Sequence, residues 1–333
     1  MVKVCYIFRK RGIGYSIETL FDNIINHLPN DISAKKVILP YHNGIIPRLK
    51  NLEFLKKLDG CDIYHITGDV YYSALVLPGH KTIITLHDIE SLFTNRNLVK
   101  KHLINLFWLK LPLKKANIIT TISAKTLNEI KTLYPAVATK SLIIPNCIED
   151  QWFSAPRFFS NKNPDTGLVI GTKPNKNLKN IAEAAKNTGI KLIIVGKLTD
   201  EQKQWLKQVP YTQYTDLPRT KLREIYTKAG FLLFPSTYEG FGLPVIEAQA
   251  LGIPVITSNK EPMKTVSGGS ALLVNPYDPE DIARAIDKLR YDHNLRHQLI
   301  TQGFENAREY RCSKIALLYA NIYKRITQNA IPA

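Results

Sequence analysis

The sequence predicts an α/β fold built from two doubly wound parallel sheets. Short apolar runs rich in β-branched residues alternate with helical patterns along the whole chain. This alternation is typical of parallel sheets that are covered by helices on both faces. With 333 residues, the chain is also long for one compact domain and comfortable for two.

The individual elements follow from the same pattern. Strand candidates lie at 2–8, 35–40, 62–67, 81–87, 117–123, 140–145, 168–172, 191–196, 231–236 and 253–258. Helix candidates lie between many of them, at 16–28, 97–115, 123–134, 178–188, 219–229, 244–251, 279–290 and 293–309.

A break between two domains is predicted at 151–167. This stretch, QWFSAPRFFSNKNPDTG, has no helical period and carries two prolines and a polar cluster. We therefore expect an N-terminal domain at 1–150 and a C-terminal domain at 151–311, with a final helix at about 312–328 packing back on the first domain. Parallel sheets bind ligands beyond the carboxyl ends of their strands, so two facing sheets predict a site in the cleft between the domains.

Composition narrows the class of protein. Hydrophobic residues make up 44% and charged residues 22%, the balance of a globular protein. The net charge of +17 favours anionic partners such as phosphorylated small molecules, acidic lipid headgroups or nucleic acid.

The opening apolar run is too short for a signal peptide, and a cytoplasmic location is expected. The four scattered cysteines form no C-x-x-C pair and are predicted to be reduced.

The most informative segment is FLLFPSTYEGFGLPVIEAQALGIPVITSN at 231–259. A buried strand leads into a turn with Gly240 and Gly242, which allow the backbone to approach a ligand closely. Pro244 suits the first position of a helix that ends before Gly252. The free N–H groups at the start of this helix predict an anion site. Two carboxylates, Glu239 and Glu247, are expected to flank a polyhydroxylated ligand.

This segment resembles the signature of a known family. The pattern P-S-x-x-E-G-F-G-L-P-x-x-E-A is similar to that of the retaining group 1 (family 4) glycosyltransferases, which have the GT-B architecture of two Rossmann-like domains. LVIGTKPNKNLKNIAEA resembles the donor-phosphate segment of the family, and ITLHD its histidine motif. RKRGIGYSIETL resembles its first glycine-containing loop, and TTISAKTLNEI with LIIPNCI its domain-closing region.

The resemblance implies a role for each matching residue. Glu247 is expected to bind the ribose hydroxyls of a nucleotide, and Glu239 the donor sugar. His87 is expected near the reacting sugar. Further donor contacts are expected from Gly12, Gly14, Tyr214, Leu217, Gly240, Phe241, Gly242 and Leu243. The resemblance assigns the C-terminal domain to the nucleotide sugar and the N-terminal domain to the acceptor.

The chemistry of the reaction points to Lys176. Breaking a sugar–phosphate bond builds negative charge on the departing diphosphate, which a lysine and a helix start stabilise. Lys176 lies beside Asn177, the predicted cap of the next helix. Many family members carry an arginine where this chain has Thr172, and Lys173 is a second candidate for that charge. The sequence contains no D-x-D pair, so metal-independent catalysis without a cofactor is expected.

A basic segment suggests contact with a membrane. No acidic residue occurs between Glu90 and Glu129, where aromatic and apolar residues accompany several lysines. This composition is typical of an interfacial anchor and also of a core-facing helix with solvated lysines. The expected membrane contacts are Lys100, Lys101, Trp108, Lys110, Lys114 and Lys115.

The predicted activity is transfer of a hexose-type sugar from a nucleoside-diphosphate donor to a saccharide or lipid-linked acceptor, with retention. A role in lipopolysaccharide, O-antigen or capsule assembly, on the inner face of the cell membrane, is the corresponding context. The alternatives are a catalytically silent partner subunit and a sugar-nucleotide-processing enzyme of the same fold. A nucleic-acid-binding protein is disfavoured because no recognisable module accompanies the charge.

Overall fold

Two compact units make up the chain. The computed structural model describes residues 1–10, 16–41, 44–88, 105–153 and 164–329. The first unit consists of Met1–Cys147 and Cys312–Ala333, and the second of Ile148–Arg311. The chain thus enters the second unit three residues before position 151, and the proposed break at 151–167 overlaps residues outside the described ranges.

The first unit contains a six-stranded parallel sheet. Its strands are β1 (Val2–Phe8), β2 (Ile32–Ile38), β3 (Ile63–Ile66), β4 (Thr82–Leu86), β5 (Ile118–Thr121) and β6 (Ser141–Ile143). They are ordered β2-β1-β3-β4-β5-β6. The described α-helices are Ser16–Asn26, Ile45–Lys56, Leu111–Lys115, Ala124–Leu133 and Cys312–Asn329, and a π-helical segment spans Asn105–Lys110. Short 3-10 turns are Tyr71–Leu75, Gly79–Lys81 and Pro135–Lys140.

The second unit repeats this plan. Its strands are β7 (Thr166–Ile170), β8 (Lys191–Val195), β9 (Tyr211–Tyr214), β10 (Phe231–Phe234), β11 (Val255–Ser258) and β12 (Leu272–Val274), in the order β12-β11-β10-β7-β8-β9. Its helices are Leu178–Thr188, Asp200–Trp205, Arg219–Lys228, Leu243–Ala250, Met263–Val266, Pro279–Tyr291 and His293–Arg308, with 3-10 turns at Asp150–Phe153 and Pro174–Lys176. All neighbouring strands run parallel.

Each of the ten strand candidates corresponds to a strand of one of these sheets. Two strands were missed, and both carry weak patterns. β9 reads Tyr-Thr-Gln-Tyr and is half exposed, while β12 is three residues long and lies at the opposite edge. The helix Ile45–Lys56 was missed because its apolar residues follow no clear helical stripe. Residues 97–104 of the predicted helix at 97–115 lie outside the described ranges.

The C-terminal helix belongs to the first unit. Cys312–Asn329 packs its apolar side against one face of the first sheet, where Ile315, Tyr319 and Tyr323 are buried among residues of β1, β3 and β4. Because the strands of this sheet are apolar on both faces, a second covering layer is required, and this helix supplies part of it.

A buried hydrogen-bond network ties the same helix to the sheet. The ring of His65 contacts the Tyr323 hydroxyl through Nδ1 (2.7 Å) and the Thr85 hydroxyl through Nε2 (2.7 Å). The Tyr323 hydroxyl also lies 2.9 Å from that of Tyr6. Burial lowers the pKa of His65 from 6.5 to about 3. The ring is therefore neutral in the folded protein at neutral pH.

The cysteines differ from the prediction. Cys5 on β1 and Cys61, just before β3, form a disulfide with their Cα atoms 6.0 Å apart. No local pattern relates these two cysteines, because 56 residues separate them and only the pairing of β1 with β3 brings them together. Cys147 and Cys312 are buried thiols outside this disulfide, as expected, and their sulfur atoms lie 2.8 Å apart.

None of the helices in the described ranges is both long enough and apolar enough to cross a bilayer.

Because His65 is buried, we expect the stability of the protein to depend on pH. The pKa of His65 is lower in the folded protein than in the unfolded chain. The unfolded chain therefore binds a proton at this residue below pH 6.5, whereas the folded protein binds one only near pH 3. The contribution is fully present above 6.5 and falls as pH drops toward 3. Between pH ~7.5 and ~5, this residue removes about 2 kcal/mol from the free energy of unfolding. Urea denaturation of wild type and His65→Gln across this range measures the difference in slope.

The matched control for this experiment is His80→Gln, in the same unit, because His80 is exposed. It should keep the wild-type slope. If His65→Gln loses stability with acid as steeply as wild type does, the buried ring is not the source of the pH dependence.

Candidate functional site

The chemistry-bearing loops of the second unit meet where its strand order reverses. β7 and β10 are neighbours, but the chain continues from β7 to β8 on one side and from β10 to β11 on the other. The loops that follow β7 and β10 therefore diverge and leave a crevice at the carboxyl edge of the sheet, the usual ligand position in such folds. Residues 171–177 form one wall and residues 235–242 the other.

Lys176 and Glu239 connect the two walls. The Lys176 Nζ lies 2.5 Å from the Glu239 Oε1, and both side chains are largely buried. The same ammonium group lies 4.5 Å from the centroid of the Phe234 ring. Gly171 has φ +88°, and a Cβ there would lie 3.1 Å from the Lys176 Cε. A glycine at this position thus leaves room for the lysine stem.

Two asparagines hold these loops together. The Asn175 Nδ2 donates to the Tyr238 carbonyl (2.8 Å), and the Thr237 N–H donates to the Asn175 carbonyl (2.9 Å). Asn177 directly precedes the helix Leu178–Thr188, but its side chain does not cap that helix. Its Nδ2 instead donates to the carbonyls of Pro235 and Pro276. Asn177 therefore occupies the predicted N-cap position, but its side chain holds the loop to its neighbours instead of capping the helix.

The signature turn leads into the helix Leu243–Ala250. Gly242 precedes this helix with φ 114°, a conformation that favours glycine. Pro244 occupies the second helical position rather than the first, and the helix ends one residue earlier than predicted. Phe241 is buried against Tyr310, so only the backbone of Phe241 remains for a ligand. Gly240 and Leu243 are partly exposed at the same turn.

Glu247 is buried rather than solvated. Its Oε2 accepts a hydrogen bond from the Tyr226 hydroxyl (2.8 Å), and its Oε1 lies 3.5 Å from an Arg219 nitrogen. Burial raises the pKa of Glu247, and the positive charge of Arg219 and the Tyr226 hydrogen bond oppose that rise. The sequence indicated Glu247 through the signature, whereas it contained no motif for Tyr226 or Arg219.

Thr172 and Lys173 line a separate part of the same edge. The Thr172 hydroxyl donates to the Lys197 carbonyl (2.7 Å), and the Gln202 amide donates to the Thr172 carbonyl (2.6 Å). The Thr172 side chain is thus engaged with the backbone. Lys173 is exposed and lines a cavity of about 440 Å³ together with Lys197 and other residues of these loops.

Tyr214 is the last residue of β9, and Leu217 follows this strand at the same edge. Both are partly exposed, and the Tyr214 carbonyl accepts a hydrogen bond from the Gly196 N–H (2.9 Å). They lie where a ligand that follows the carboxyl edge toward β9 would contact them. Gly12 and Gly14, also predicted to contact the donor, lie outside the described residues.

His87 belongs to the first unit and follows β4. Its Nε2 donates to the Thr67 carbonyl (2.8 Å), and its ring meets Phe21 edge-on. Burial lowers the pKa of His87, so the ring is neutral at neutral pH. Glu239 and Lys176 are in the second unit. The three residues that we expect to be catalytic, His87, Glu239 and Lys176, thus divide between the two units.

An ion cluster at the same edge of the first sheet was missed. Arg9, at the end of β1, contacts Glu18 through Nε (2.7 Å) and Asp69 through Nη1 (3.0 Å). The sequence showed Arg9 only as part of a basic run. The two carboxylates lie 9 and 60 residues from Arg9 in sequence, so only the sheet brings all three together.

Comparison with protein families decides the class of the second unit. Residues 150–306 match the family model of the group 1 glycosyl transferases. The second unit is a group 1 glycosyltransferase domain. The signature with Glu239 and Glu247, the turn at Gly242 and the Lys176 loop all lie inside the matched range.

Curated relatives extend the likeness over both units. The chain is 27% identical over 294 residues to "O-antigen chain mannosyltransferase B" from Escherichia coli, covering 79% of this chain and 74% of that protein. It is 28% identical over 287 residues to "O-antigen chain mannosyltransferase RfbU" from Salmonella typhimurium, covering 83% and 77%.

Solved structures confirm the fold. Sucrose-phosphate synthase from Thermosynechococcus elongatus matches with a TM-score of 0.73 at 19% identity, covering 99% of this chain and all of that one. Anabaena HepE in complex with UDP matches with a TM-score of 0.72 at 14% identity, covering 97% of this chain and all of that one. The predicted GT-B architecture, with one doubly wound α/β unit following another, is thereby confirmed.

Proposed function

We propose that this glycosyltransferase moves a hexose from a nucleoside-diphosphate sugar to a saccharide or lipid-linked acceptor, with retention at the anomeric carbon. Its proposed context is the assembly of lipopolysaccharide O-antigen or capsule. The names of the two relatives favour mannose as the first sugar to test. The second unit is the proposed nucleotide-sugar domain and the first the proposed acceptor domain.

The arrangement of Lys176, Glu239 and Glu247 is the observation that carries this proposal. Lys176 and Glu239 meet between the loops that follow β7 and β10, and Glu247 is the fifth residue of the helix that continues from the second loop. A nucleotide sugar has a ribose diol, a diphosphate and a sugar. The buried Glu247 suits the diol, Lys176 and the start of the helix Leu243–Ala250 suit the diphosphate, and Glu239 suits the sugar.

The proposed chemistry breaks the bond between the anomeric carbon and the diphosphate oxygen. The electron pair of that bond stays on the diphosphate, and Lys176 stabilises the resulting charge. The acceptor hydroxyl attacks the same face of the sugar and gives its proton to the departing phosphate. The Lys176 ammonium has three donors, one of which Glu239 occupies, so two remain for phosphate.

His87 is proposed to act near the sugar as a hydrogen-bonding group. Because its Nε2–H is engaged with the Thr67 carbonyl, Nδ1 is the acceptor nitrogen of the neutral ring. A sugar hydroxyl is a suitable donor for that nitrogen. Gly12 and Gly14, which follow β1 in the sequence, remain proposed donor contacts.

The reaction is proposed to need neither metal nor cofactor. Positive charge at the crevice comes from Lys176 and from helix N–H groups, which do the work that a divalent cation does in other transferases. Activity that survives EDTA in the turnover assay below would support this view.

Two alternatives belong to the same fold. A silent partner subunit would not need the buried Glu247 or the Lys176–Glu239 pair, both of which are present in full. A sugar-nucleotide-processing enzyme without an acceptor would bind the same donors. Turnover that requires an added acceptor distinguishes the transferase from both.

A nucleotide panel tests the proposal directly. We expect one nucleotide among UDP, GDP, ADP, CMP and dTDP to raise the thermal midpoint, because the crevice offers groups for a diphosphate and a ribose. The corresponding nucleotide sugars, including GDP-mannose and UDP-glucose, are then assayed for transfer to a saccharide acceptor with and without EDTA. Failure of every nucleotide and nucleotide sugar to bind would refute the donor site.

Substitution of the two signature glutamates should separate binding from transfer. Glu247→Gln is expected to weaken nucleotide binding by about tenfold, because it removes a charged hydrogen-bond acceptor. Glu239→Gln is expected mainly to lower kcat, because Glu239 contacts the sugar and orients Lys176. Calorimetry gives the Kd and the turnover assay gives kcat.

The control for these variants is Glu305→Gln, an exposed carboxylate in the same unit. It should match wild type in both measurements. Wild-type transfer rates in both Glu239→Gln and Glu247→Gln would show that the site is misassigned.

Peripheral membrane contact is proposed for the basic segment of the first unit. Phe107 and Leu111 are exposed beside the exposed Lys110 and Lys114. Trp108 does not fit the predicted anchor. It packs against Tyr72, with the Arg48 guanidinium 3.5 Å above its ring.

The stacking of Arg48 on Trp108 places a second helix next to the basic segment. Arg48 belongs to Ile45–Lys56, which exposes the apolar side chains of Ile45, Ile46 and Leu49. Lys115 contributes less than predicted, because its ammonium group donates to the Leu75 carbonyl. Lys100 and Lys101 lie outside the described residues. Exposed apolar groups next to lysines suit an anionic bilayer, and this supports a location on the inner face of the cell membrane.

Vesicle sedimentation tests this contact. The protein is expected to bind phosphatidylglycerol vesicles and not phosphatidylcholine vesicles, and salt should weaken binding. Lys110→Glu with Lys114→Glu should reduce binding by about tenfold or more. The control is Lys186→Glu with Lys207→Glu, an equal charge change in the second unit. Equal loss in both double variants would indicate general electrostatics instead of this surface.

A further inference from the structure

The carboxylate of Glu247 is held from two sides by one helix. Tyr226 and Arg219 both lie on Arg219–Lys228, and they contact different oxygens of Glu247. The side chain of Glu247 is only 7% exposed. A carboxylate with so little access to water has few orientations, and these two contacts select among them.

Tyr226 is itself fixed by its surroundings. It is fully buried, and the Trp152 ring meets it edge-on at 5.3 Å between centroids. Burial and the neighbouring Glu247 raise the pKa of Tyr226 well above 10, so its hydroxyl stays protonated and donates. The direction of this hydrogen bond is therefore settled, from the phenol to the carboxylate.

Arg219 is shared between two carboxylates. Its Nε lies 2.8 Å from the Glu149 Oε1, while another of its nitrogens lies 3.5 Å from Glu247. The titratable groups that act on Glu247 are thus Arg219 and Tyr226 from one helix and Glu149 from the segment before Trp152. Glu149 raises the pKa of Glu247, and the other two lower it.

With these two contacts made, the Glu247 carboxylate can still accept further hydrogen bonds. An ionised carboxylate accepts about four hydrogen bonds, and Tyr226 and Arg219 occupy one position on each oxygen. Two positions remain, which equals the number of donors in a ribose diol. A protonated carboxyl would lose part of this capacity and present a donor instead.

We propose that Tyr226 and Arg219 are positioning residues that keep Glu247 oriented and ionised for the two ribose hydroxyls of the nucleotide. This inference rests on the proposed function, because it assumes that Glu247 binds ribose. It adds residues that no signature indicates, and it gives each a separate task. Tyr226 fixes the direction of the carboxylate, and Arg219 maintains its charge against Glu149.

The test compares ribose with deoxyribose. Calorimetry is performed with GDP and UDP and with their 2′-deoxy and 3′-deoxy forms, on wild type and on Tyr226→Phe. Wild type should lose about tenfold in affinity for each missing hydroxyl. Tyr226→Phe should bind the ribonucleotide about tenfold more weakly and should discriminate less between ribose and deoxyribose.

The pH profile tests the charge. Nucleotide affinity should be present above the pKa of Glu247 and be lost as pH falls through it. Tyr226→Phe and Arg219→Gln each remove a group that lowers this pKa, so the acid limb should move to higher pH. Arg219→Lys retains the charge and should restore most of the wild-type profile.

Tyr291→Phe is the matched control, because Tyr291 is 71% exposed on a different helix. It should leave affinity, discrimination and pH profile unchanged. If Tyr226→Phe weakens ribose and deoxyribose nucleotides equally, or moves neither the discrimination nor the acid limb, Tyr226 is only structural and the inference is wrong. If wild type binds neither GDP nor UDP nor any other nucleotide of the panel, the proposed function fails first.

Discussion

The ion pair between Lys176 and Glu239 is the contact on which the candidate site depends. It spans two loops that follow neighbouring strands, β7 and β10, although 63 residues separate the two side chains. A largely buried lysine without a partner would be costly, and so would a buried carboxylate. Each therefore stabilises the other where the two loops meet. Asn175 and Asn177 then fix the loop backbones around the pair.

The same requirement explains the environment of Glu247. A carboxylate that is almost fully buried needs hydrogen-bond donors, and Tyr226 and Arg219 supply them. The helix that carries these donors begins directly after the segment with Tyr214 and Leu217. The edge of the sheet near β9 and the signature helix are consequently linked through one buried acid.

The first unit uses polar burial for a different purpose. Hydrogen bonds among Tyr6 on β1, His65 on β3 and Tyr323 on the last helix join that helix to one face of the sheet. Three other polar residues follow the carboxyl ends of strands in this sheet and are partly accessible to solvent. They are Arg9 after β1, Asp69 after β3 and His87 after β4. The interior network stabilises the unit, whereas the groups at the strand ends are those available to a ligand.

The sequence by itself determined the α/β class, ten of the strands and the residues of the signature, because apolar periodicity and the spacing of Gly242, Glu239 and Glu247 are local properties. It did not determine the pairing of Cys5 with Cys61, the stacking of Trp108 on Tyr72 and Arg48, or the contacts of Glu247 with Tyr226 and Arg219. Those depend on which strands become neighbours and which loops meet at the edge of a sheet. Only the tertiary structure decides them, since strand order brings together residues that no local pattern relates.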